Sequence, residues 1–253
     1  MGSIESPSRV AIVTGAAQGI GRSIALRLAE DGLNVAINDI PSKTQQIEEV
    51  VAEIKTKTNA KVVAAPADVT NEEAVQAMIA SVVEQLGGLD VMVANAGVMS
   101  YGPLLMVPSE EWDRVININL RGVMLCYKYA AKQMVEQGRG GRIIATFSSH
   151  EPGVAYTSAY AASKFAIRGL TQCFASELTK HNITVNVYAP GAIRTNIVSI
   201  EDAKAQGLNS SAMSKLPMAE PEVIASLVSY IAKPEAFFIT GQTISANGGA
   251  HFD

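Results

Sequence analysis

The sequence has few of the residues that mark membranes, disulfide scaffolds or secretion. Two cysteines, Cys126 and Cys173, in 253 residues are too few for a disulfide framework and indicate a reducing compartment. No apolar run approaches the length of a membrane-spanning helix, and the polar residues 1–9 lack the apolar core of a signal peptide. We therefore expect a cytoplasmic protein with no membrane segment.

Charge and histidine are also scarce. Charged residues make up only 17% of the chain and the net charge is −4, which predicts no basic surface for nucleic acid or anionic lipid. The three histidines, His150, His181 and His251, are not spaced as metal ligands, so no catalytic metal is expected. Hydrophobic residues reach 48%, a proportion typical of a globular enzyme.

Short apolar runs alternate with longer helical patterns along the chain. The runs that predict strands are 10–13, 35–38, 62–65, 91–94, 142–146 and 184–188. Helical patterns follow the first two of these runs, and others cover 71–86, 109–137 and 160–180.

This alternation predicts an α/β fold. Continuously apolar strands indicate a sheet that is covered by helices on both faces, and strand–helix alternation indicates parallel strands. We therefore expect a doubly wound, Rossmann-type parallel sheet in a single domain over 1–253, with ligands at the carboxyl ends of the strands. The irregular stretch 195–217 is interpreted either as a mobile helical flap or as an ordinary surface excursion.

A glycine-rich loop follows the first predicted strand. Gly15, Gln18, Gly19, Ile20 and Gly21 fall between that strand and the first helix. Glycines at this point allow a tight turn and let the backbone approach a pyrophosphate at a helix N-terminus, where N–H groups and the helix dipole favour anions. The loop is therefore interpreted as a dinucleotide site, although a glycine pattern alone is a weak signal.

The second strand ends at Asp39, which bears on the choice of cofactor. A carboxylate there can accept hydrogen bonds from the adenosine ribose and would repel a 2′-phosphate. The alternative is a turn or capping aspartate. Gln18 places no cation in the glycine loop, so NAD is preferred to NADP.

Several motifs occur in the order found in one enzyme family. Besides the Thr14–Gly21 pattern they are Asp68-Val69, Asn95-Ala96-Gly97, the Tyr-x-x-x-Lys pair Tyr160 and Lys164, and Pro190-Gly191. On these motifs the chain resembles the short-chain dehydrogenase/reductase family over nearly its whole length. The resemblance implies that Asp68-Val69, Asn95-Ala96-Gly97 and Pro190-Gly191 contact the dinucleotide, as do Ile193 and Thr195. It also implies that the protein is a homotetramer.

Tyr160 and Lys164 lie four residues apart and so share one face of a helix. Such a pair more often lies on a solvated helix surface. Beside an oxidised nicotinamide, however, two cations, Lys164 and the nicotinamide ring, would stabilise the Tyr160 phenolate. The pKa of Tyr160 would then fall from about 10 towards the working pH. Tyr160 could exchange a proton with the substrate oxygen while hydride moves, and the resemblance adds bonds from Lys164 to the nicotinamide ribose.

The resemblance assigns two further residues, an asparagine that helps to hold a proton-relay water and a serine that binds the substrate oxygen. Asn119, rather than Asn117, matches the asparagine. Counting from Gly141 puts the serine at Ser148, twelve residues before Tyr160 where the family has thirteen, so Ser149 stays open. The loop 150–158 carries this length difference and would line the substrate pocket.

These observations predict an NAD-dependent dehydrogenase or reductase of a small-molecule ketone or secondary alcohol. Residues 164–172 resemble the diacetyl/acetoin reductase and butanediol dehydrogenase branch, which favours a diketone or hydroxyketone substrate. The alternatives are a β-ketoacyl or sugar dehydrogenase of the same family, or a dinucleotide-binding scaffold without activity.

Overall fold

A seven-stranded parallel sheet forms the centre of the protein. The computed structural model describes residues 8–148, 155–195 and 217–251. The strand order is β3-β2-β1-β4-β5-β6-β9. The strands are β1 (Val10–Val13), β2 (Asn34–Ile37), β3 (Val62–Ala64), β4 (Val91–Ala94), β5 (Gly141–Thr146), β6 (Ile183–Pro190) and β9 (Thr243–Ala246). A small parallel ribbon pairs β7 (Ala192–Ile193) with β8 (Met218–Ala219).

Helices cover both faces of this sheet, which confirms the predicted α/β class. They are α1 (Gly19–Glu30), α2 (Thr44–Lys57), α3 (Glu72–Leu86), α4 (Ser109–Ile116), α5 (Gly122–Gln137), α6 (Ser158–Leu178) and α7 (Pro221–Ala232). Side chains from α1, α2 and α7 form one buried apolar cluster and those from α3, α5 and α6 form another. Along β1, Ile12 belongs to the second cluster and its neighbours Ala11 and Val13 to the first, as the two-residue period of a strand requires.

The structure differs from the predicted helix 109–137 at its centre. A π-helical segment, Asn117–Arg121, separates α4 from α5. Such single-turn insertions occur mostly at functional sites, and the composition of an amphipathic run does not reveal them. Just after the insertion α5 begins at Gly122, where a Cβ would lie 2.9 Å from Cγ2 of Val69. The close contact seats the helix against the turn that follows β3.

The C-terminal elements complete the fold. The last strand, β9, begins at Thr243, two residues after Gly241, where a φ of +72° turns the chain. Helix α7 was not among the predicted helical patterns, although Pro221 at its first position and Glu222 in its first turn are typical start signals. Of the candidate flap 195–217 only the two ends are described, and the loop 150–158 is described from residue 155 onward.

The topology creates a crevice at one end of the sheet. The chain leaves β1 towards β2 on one side, whereas β4 continues to β5 on the other side. The loops after β1 and β4 therefore diverge at the carboxyl ends of these neighbouring strands, the usual ligand position in such folds. Within the described ranges no helix has both the length and the apolar character needed to cross a membrane.

Candidate active site

The glycine loop after β1 adopts a conformation that only glycine accommodates well. Gly15 and Gly19 have φ values of +64° and +56°. A Cβ on Gly21 would lie 2.4 Å from the carbonyl oxygen of Gly15, so any side chain there would collide with backbone. Gln18 is exposed and its side chain makes no capping bond to α1. The loop thus offers a narrow backbone cradle at a helix N-terminus, which suits a pyrophosphate.

Asp39 lies beside this loop and has two kinds of partner. Its carboxylate accepts hydrogen bonds from the backbone N–H groups of Ala17 at 3.3 Å and Ile40 at 2.9 Å. Lys43 forms an ion pair with it, 3.5 Å from Nζ to Oδ1. The turn role that the sequence analysis left open is therefore present, and the carboxylate still sits at the end of β2 next to the cradle.

Asn95, Ala96 and Gly97 pack under the cradle. The Asn95 side chain donates to the carbonyls of Thr14 at 2.9 Å and Gly15 at 3.3 Å. A Cβ on Gly15 would lie 2.9 Å from the Ala96 Cα, so the two loops are in direct contact. The Asn-Ala-Gly segment therefore fixes the glycine loop as well as bordering the crevice.

Asp68 and Val69 occupy the neighbouring turn after β3. The exposed Asp68 carboxylate accepts from the backbone N–H and the hydroxyl of Thr70, at 2.9 and 2.8 Å. Val69 is buried and contacts Gly122 at the start of α5. The pair thus borders the same edge of the sheet as the glycine loop and Asp39.

Lys164 is a buried cation at the centre of the candidate site. Its side chain is only 3% exposed, and Nζ donates to the Thr146 carbonyl at 3.1 Å. Its nitrogen also lies 5.5 Å from the centre of the Tyr160 ring. A Cβ on Gly97 would lie 3.6 Å from the same nitrogen, so Gly97 leaves room for the lysine.

Tyr160 and Ser148 are joined by a hydrogen bond between their side chains. They come from separate elements, since Ser148 follows β5 and Tyr160 lies in the first turn of α6. Ser148 is buried, whereas Ser149 and His150 lie outside the described residues. The structure thus brings Ser148 and Tyr160 together, and the role of Ser148 in binding the substrate oxygen stays a prediction.

Asn119 is fully buried within the π-helical segment. Its side chain accepts from the Val98 N–H at 2.8 Å and donates to the Val98 carbonyl at 2.9 Å. It also donates to the Ser163 hydroxyl at 3.1 Å, which in turn donates to the Tyr160 carbonyl at 2.7 Å. The Asn119 amide thus ties the chain after Gly97 to the helix that carries Tyr160 and Lys164.

Burial shifts the acidities of the two central residues in opposite directions. It raises the pKa of Tyr160 to about 12, a shift that the bond from Ser148 partly offsets. It lowers the pKa of Lys164 to about 7. The lowering predicted for Tyr160 requires the cation of an oxidised nicotinamide in addition to Lys164, and it stays a prediction for the cofactor complex. The surroundings therefore favour Tyr160 as a neutral proton donor.

The segment after β6 borders the cradle from the other side. Gly191 packs so closely on Asn247 that a Cβ would lie 2.7 Å from the Asn247 Cα. Ile193 lies in the β7–β8 ribbon, and Thr195 contacts Gly19, whose added Cβ would lie 3.4 Å from the Thr195 methyl group. Pro190 ends β6 directly before this turn.

Sequence reasoning did not single out four polar residues that hold the site together: Thr14, Thr146, Ser163 and Tyr188. Thr14 was visible as the first residue of the glycine pattern, and Ser163 as the neighbour of Lys164. Thr146 and Tyr188 lie in apolar strand runs and gave no signal of their own. Tyr101 was also missed, a half-buried phenol close enough to raise the pKa of Tyr160.

These residues fit a nicotinamide dinucleotide. The collision that a Cβ at Gly21 would cause marks a backbone cradle for the pyrophosphate, and Asp39 stands where a ribose would lie. Lys164 and Tyr160 lie in the adjoining crevice, where the reactive ring would be placed. Over the described part of the chain, no cluster of His, Cys, Asp or Glu is arranged to hold a metal ion.

Comparisons with known proteins agree with this geometry. A family model described as enoyl-(acyl carrier protein) reductase matches residues 15–251. A short-chain dehydrogenase/reductase of Armillaria gallica is 47% identical, over 98% of each chain. A 3-oxoacyl-(acyl-carrier-protein) reductase of Staphylococcus aureus is 41% identical, over 96% of this chain and 98% of the relative.

Solved structures share the fold. A short-chain type dehydrogenase/reductase from Mycobacterium marinum superposes with a TM-score of 0.88 at 35% identity, covering 96% of this chain and 95% of that chain. An acetoin dehydrogenase from Salmonella typhimurium superposes with a TM-score of 0.82 at 33% identity, covering 97% and 99%. Relatives with acyl and with hydroxyketone substrates in their names are thus both similar to this chain.

Proposed function

The chain belongs to the short-chain dehydrogenase/reductase family, and on that premise we propose an NAD(H)-dependent oxidoreductase that interconverts a ketone and a secondary alcohol. The observation that carries the proposal is the convergence of Ser148, Tyr160 and Lys164 beside the glycine cradle. A scaffold without activity has no need of a buried lysine 5.5 Å from a buried phenol.

Each residue has a defined part in the proposed reaction. The bound nicotinamide supplies or accepts the hydride. Tyr160 donates its phenolic proton to the substrate oxygen during reduction and takes it back during oxidation, and Ser148 holds that oxygen beside the phenol. Lys164 stabilises the phenolate that Tyr160 becomes when it gives up its proton.

Asn119 supports this group indirectly. Because its amide is fully engaged by Val98 and Ser163, it fixes the relative positions of the β4 loop and α6. Because the Asn119 side chain is engaged, we propose that the backbone of Asn119, in the π-helical segment, helps to hold the relay water near Lys164.

Two charged contacts support NAD over NADP, and a third opposes this preference. Asp39 places a carboxylate beside the cradle. Arg22, the residue directly after Gly21, is hydrogen-bonded to Glu53. Lys43 is paired with Asp39, which neutralises part of the carboxylate charge and weakens its repulsion of a 2′-phosphate.

The pair Asp39 and Lys43 allows a test with opposite expected outcomes. Asp39→Asn removes the repulsive charge, so the kcat/KM ratio of NADPH to NADH should rise by about tenfold, equivalent to about 1.4 kcal/mol. Lys43→Gln leaves Asp39 unpaired, so the same ratio should fall. Steady-state kinetics with both cofactors check this, and a ratio that moves in the same direction in both variants would contradict the assignment.

For the substrate we propose a small diketone or hydroxyketone. The resemblance of residues 164–172 to the acetoin reductase branch supports this class, as does the likeness to the Salmonella typhimurium structure. A β-ketoacyl thioester is the second candidate, favoured by the identity to the Staphylococcus aureus relative.

The proposal is tested by following NADH and NADPH oxidation against diketones, hydroxyketones, β-keto esters and thioesters, simple ketones and keto sugars. We expect NADH-linked turnover that is highest with the diketones. Faster turnover of β-ketoacyl thioesters would select the second substrate class, and faster turnover with NADPH would contradict the proposed cofactor. Tight NADH binding with no turnover of any class would favour a scaffold.

The lowered pKa of Lys164 predicts a pH dependence. Its ammonium form is present below about pH 7 and is lost above it. Reduced nicotinamide is uncharged, so at saturating NADH kcat/KM for the ketone should decline above that pH, by about tenfold per unit. Lys164→Arg keeps its charge throughout and should show no such decline. A wild-type profile that rises from about pH 7 to about pH 9 would contradict the role of Lys164.

We also propose a homotetramer, in which 109–137 and 160–180 pack across one interface. The exposure of Phe165 on α6 supports an apolar contact on that helix. Sedimentation equilibrium should give about four times the mass of the chain, and a monomer mass would contradict this assembly.

A further inference from the structure

Tyr188 is a phenol buried inside the sheet, away from the substrate crevice. Its side chain is fully shielded from solvent on β6. The hydroxyl donates to Oδ1 of Asn95 at 2.7 Å, and the Thr146 hydroxyl, which donates to the Phe147 carbonyl at 3.2 Å, lies close enough to influence its pKa. Burial raises the pKa of Tyr188, so the group stays a neutral hydrogen-bond donor at working pH.

The bond from Tyr188 decides which way the Asn95 amide points. With its oxygen held by the phenol, the amide nitrogen faces the carbonyls of Thr14 and Gly15. A reversed amide would direct its oxygen at two carbonyl oxygens, an arrangement with no hydrogen bond. Without the phenol hydroxyl, the half-buried Asn95 side chain would lose the partner of its oxygen, and only the Thr14 and Gly15 carbonyls would hold the amide in this orientation.

A neighbouring polar residue links Tyr188 to the other half of the site. The Thr146 hydroxyl lies beside the Tyr188 hydroxyl and donates to the Phe147 carbonyl, and the Thr146 carbonyl accepts from Lys164 at 3.1 Å. Strands β5, β6 and β4 therefore present three polar groups that connect the lysine to the glycine loop through the interior of the sheet. Such a network is rigid when every member is satisfied.

We propose that Tyr188 is a positioning residue that orients Asn95 and thereby sets the glycine loop for dinucleotide binding. The proposal deepens the proposed function, because it assigns the preorganisation of the cofactor site to a residue that touches no cofactor. It rests on nicotinamide dinucleotide binding but not on the identity of the ketone.

The test is Tyr188→Phe, which keeps the ring and removes only the hydroxyl. We expect the Kd for NADH, measured by fluorescence titration, to rise about three- to tenfold. At saturating NADH the kcat should change by less than about twofold, because Tyr160, Ser148 and Lys164 keep their contacts. A purely structural tyrosine would lower the melting temperature without changing the Kd.

The matched control is Tyr127→Phe. Tyr127 is equally buried, and its hydroxyl is bonded to Thr171 at 2.9 Å, remote from the glycine loop. Both variants lose one buried phenol hydrogen bond, so both should lower the melting temperature, but only Tyr188→Phe should weaken NADH binding. Equal Kd values in the two variants would overturn the proposal.

A second variant probes the polar residues around Tyr188 without changing its phenol. Thr146→Val removes the hydroxyl that faces Tyr188 and keeps the carbonyl that accepts from Lys164. It should weaken NADH binding in the same direction, and the double variant with Tyr188→Phe should be no weaker than Tyr188→Phe alone. Additive losses of NADH affinity in the double variant would contradict a common route through Tyr188. Because NADH titration needs no turnover, a chain that binds NADH but reduces no ketone refutes the proposed function and leaves this test valid.

Discussion

Replacing Tyr160 with phenylalanine is expected to lower kcat for ketone reduction by about 10²- to 10⁴-fold, the usual contribution of a positioned proton donor. NADH affinity should stay within about twofold of wild type, since the cradle is built from the glycine loop and Asn95. Stopped-flow turnover and fluorescence titration measure the two quantities separately.

The control is the neighbouring phenol, Tyr101. It is half-buried and close enough to Tyr160 to influence its pKa, so it is a second phenol beside the proposed proton donor. Tyr101→Phe should retain turnover within about tenfold. If Tyr101→Phe lost activity while Tyr160→Phe kept it, the proton donor would have to be reassigned to Tyr101.

Adding one methyl group at Gly21 should have a comparably large effect on cofactor binding. In Gly21→Ala the new Cβ would lie 2.4 Å from the Gly15 carbonyl oxygen and 2.5 Å from the Asn95 amide nitrogen. The loop must then move away from Asn95, so we expect the Kd for NADH to rise by more than about tenfold. The free energy of unfolding should fall by about 1–3 kcal/mol, the typical cost of overpacking.

Gly169→Ala is the matched substitution. Gly169 lies inside α6, and an added Cβ there would meet nothing within 4 Å. It should leave NADH binding unchanged and stabilise the protein by about 0.5–1 kcal/mol, because alanine loses less backbone entropy than glycine in a helix. Unchanged NADH binding in Gly21→Ala would show that the cofactor does not rest on this loop.

The fold was predictable because its pattern is repeated. Each apolar strand run is short and continuous, and the helices between them have apolar faces, so the doubly wound class followed from period alone. The π-helical segment at Asn117–Arg121 was not predicted, since a single-turn insertion is too short to interrupt a helical pattern that continues on both sides of it. Helix α7 was missed although Pro221 marked its start.

The candidate site was predictable wherever a motif carried it. Tyr160, Lys164 and the glycines stood in recognisable spacings, and the structure brings them to one crevice. The polar groups behind them were not predicted, because Thr146 and Tyr188 lie in apolar strand runs. Only the structure shows that they contact Lys164 and Asn95. The pKa of Tyr160 was also beyond reach, since it depends on desolvation that only the packed structure reveals.

The most direct test of the central claim is to follow the hydride itself. NADH that carries deuterium at both hydrogen positions of the reactive nicotinamide carbon is incubated with the protein and the best ketone of the substrate panel, and the alcohol is analysed by mass spectrometry and NMR. Hydride transfer from the nicotinamide would place one deuterium on the carbinol carbon, with the hydroxyl proton exchanging with solvent. An alcohol without deuterium at that carbon, or bound NADH with no alcohol formed from any ketone, would contradict it.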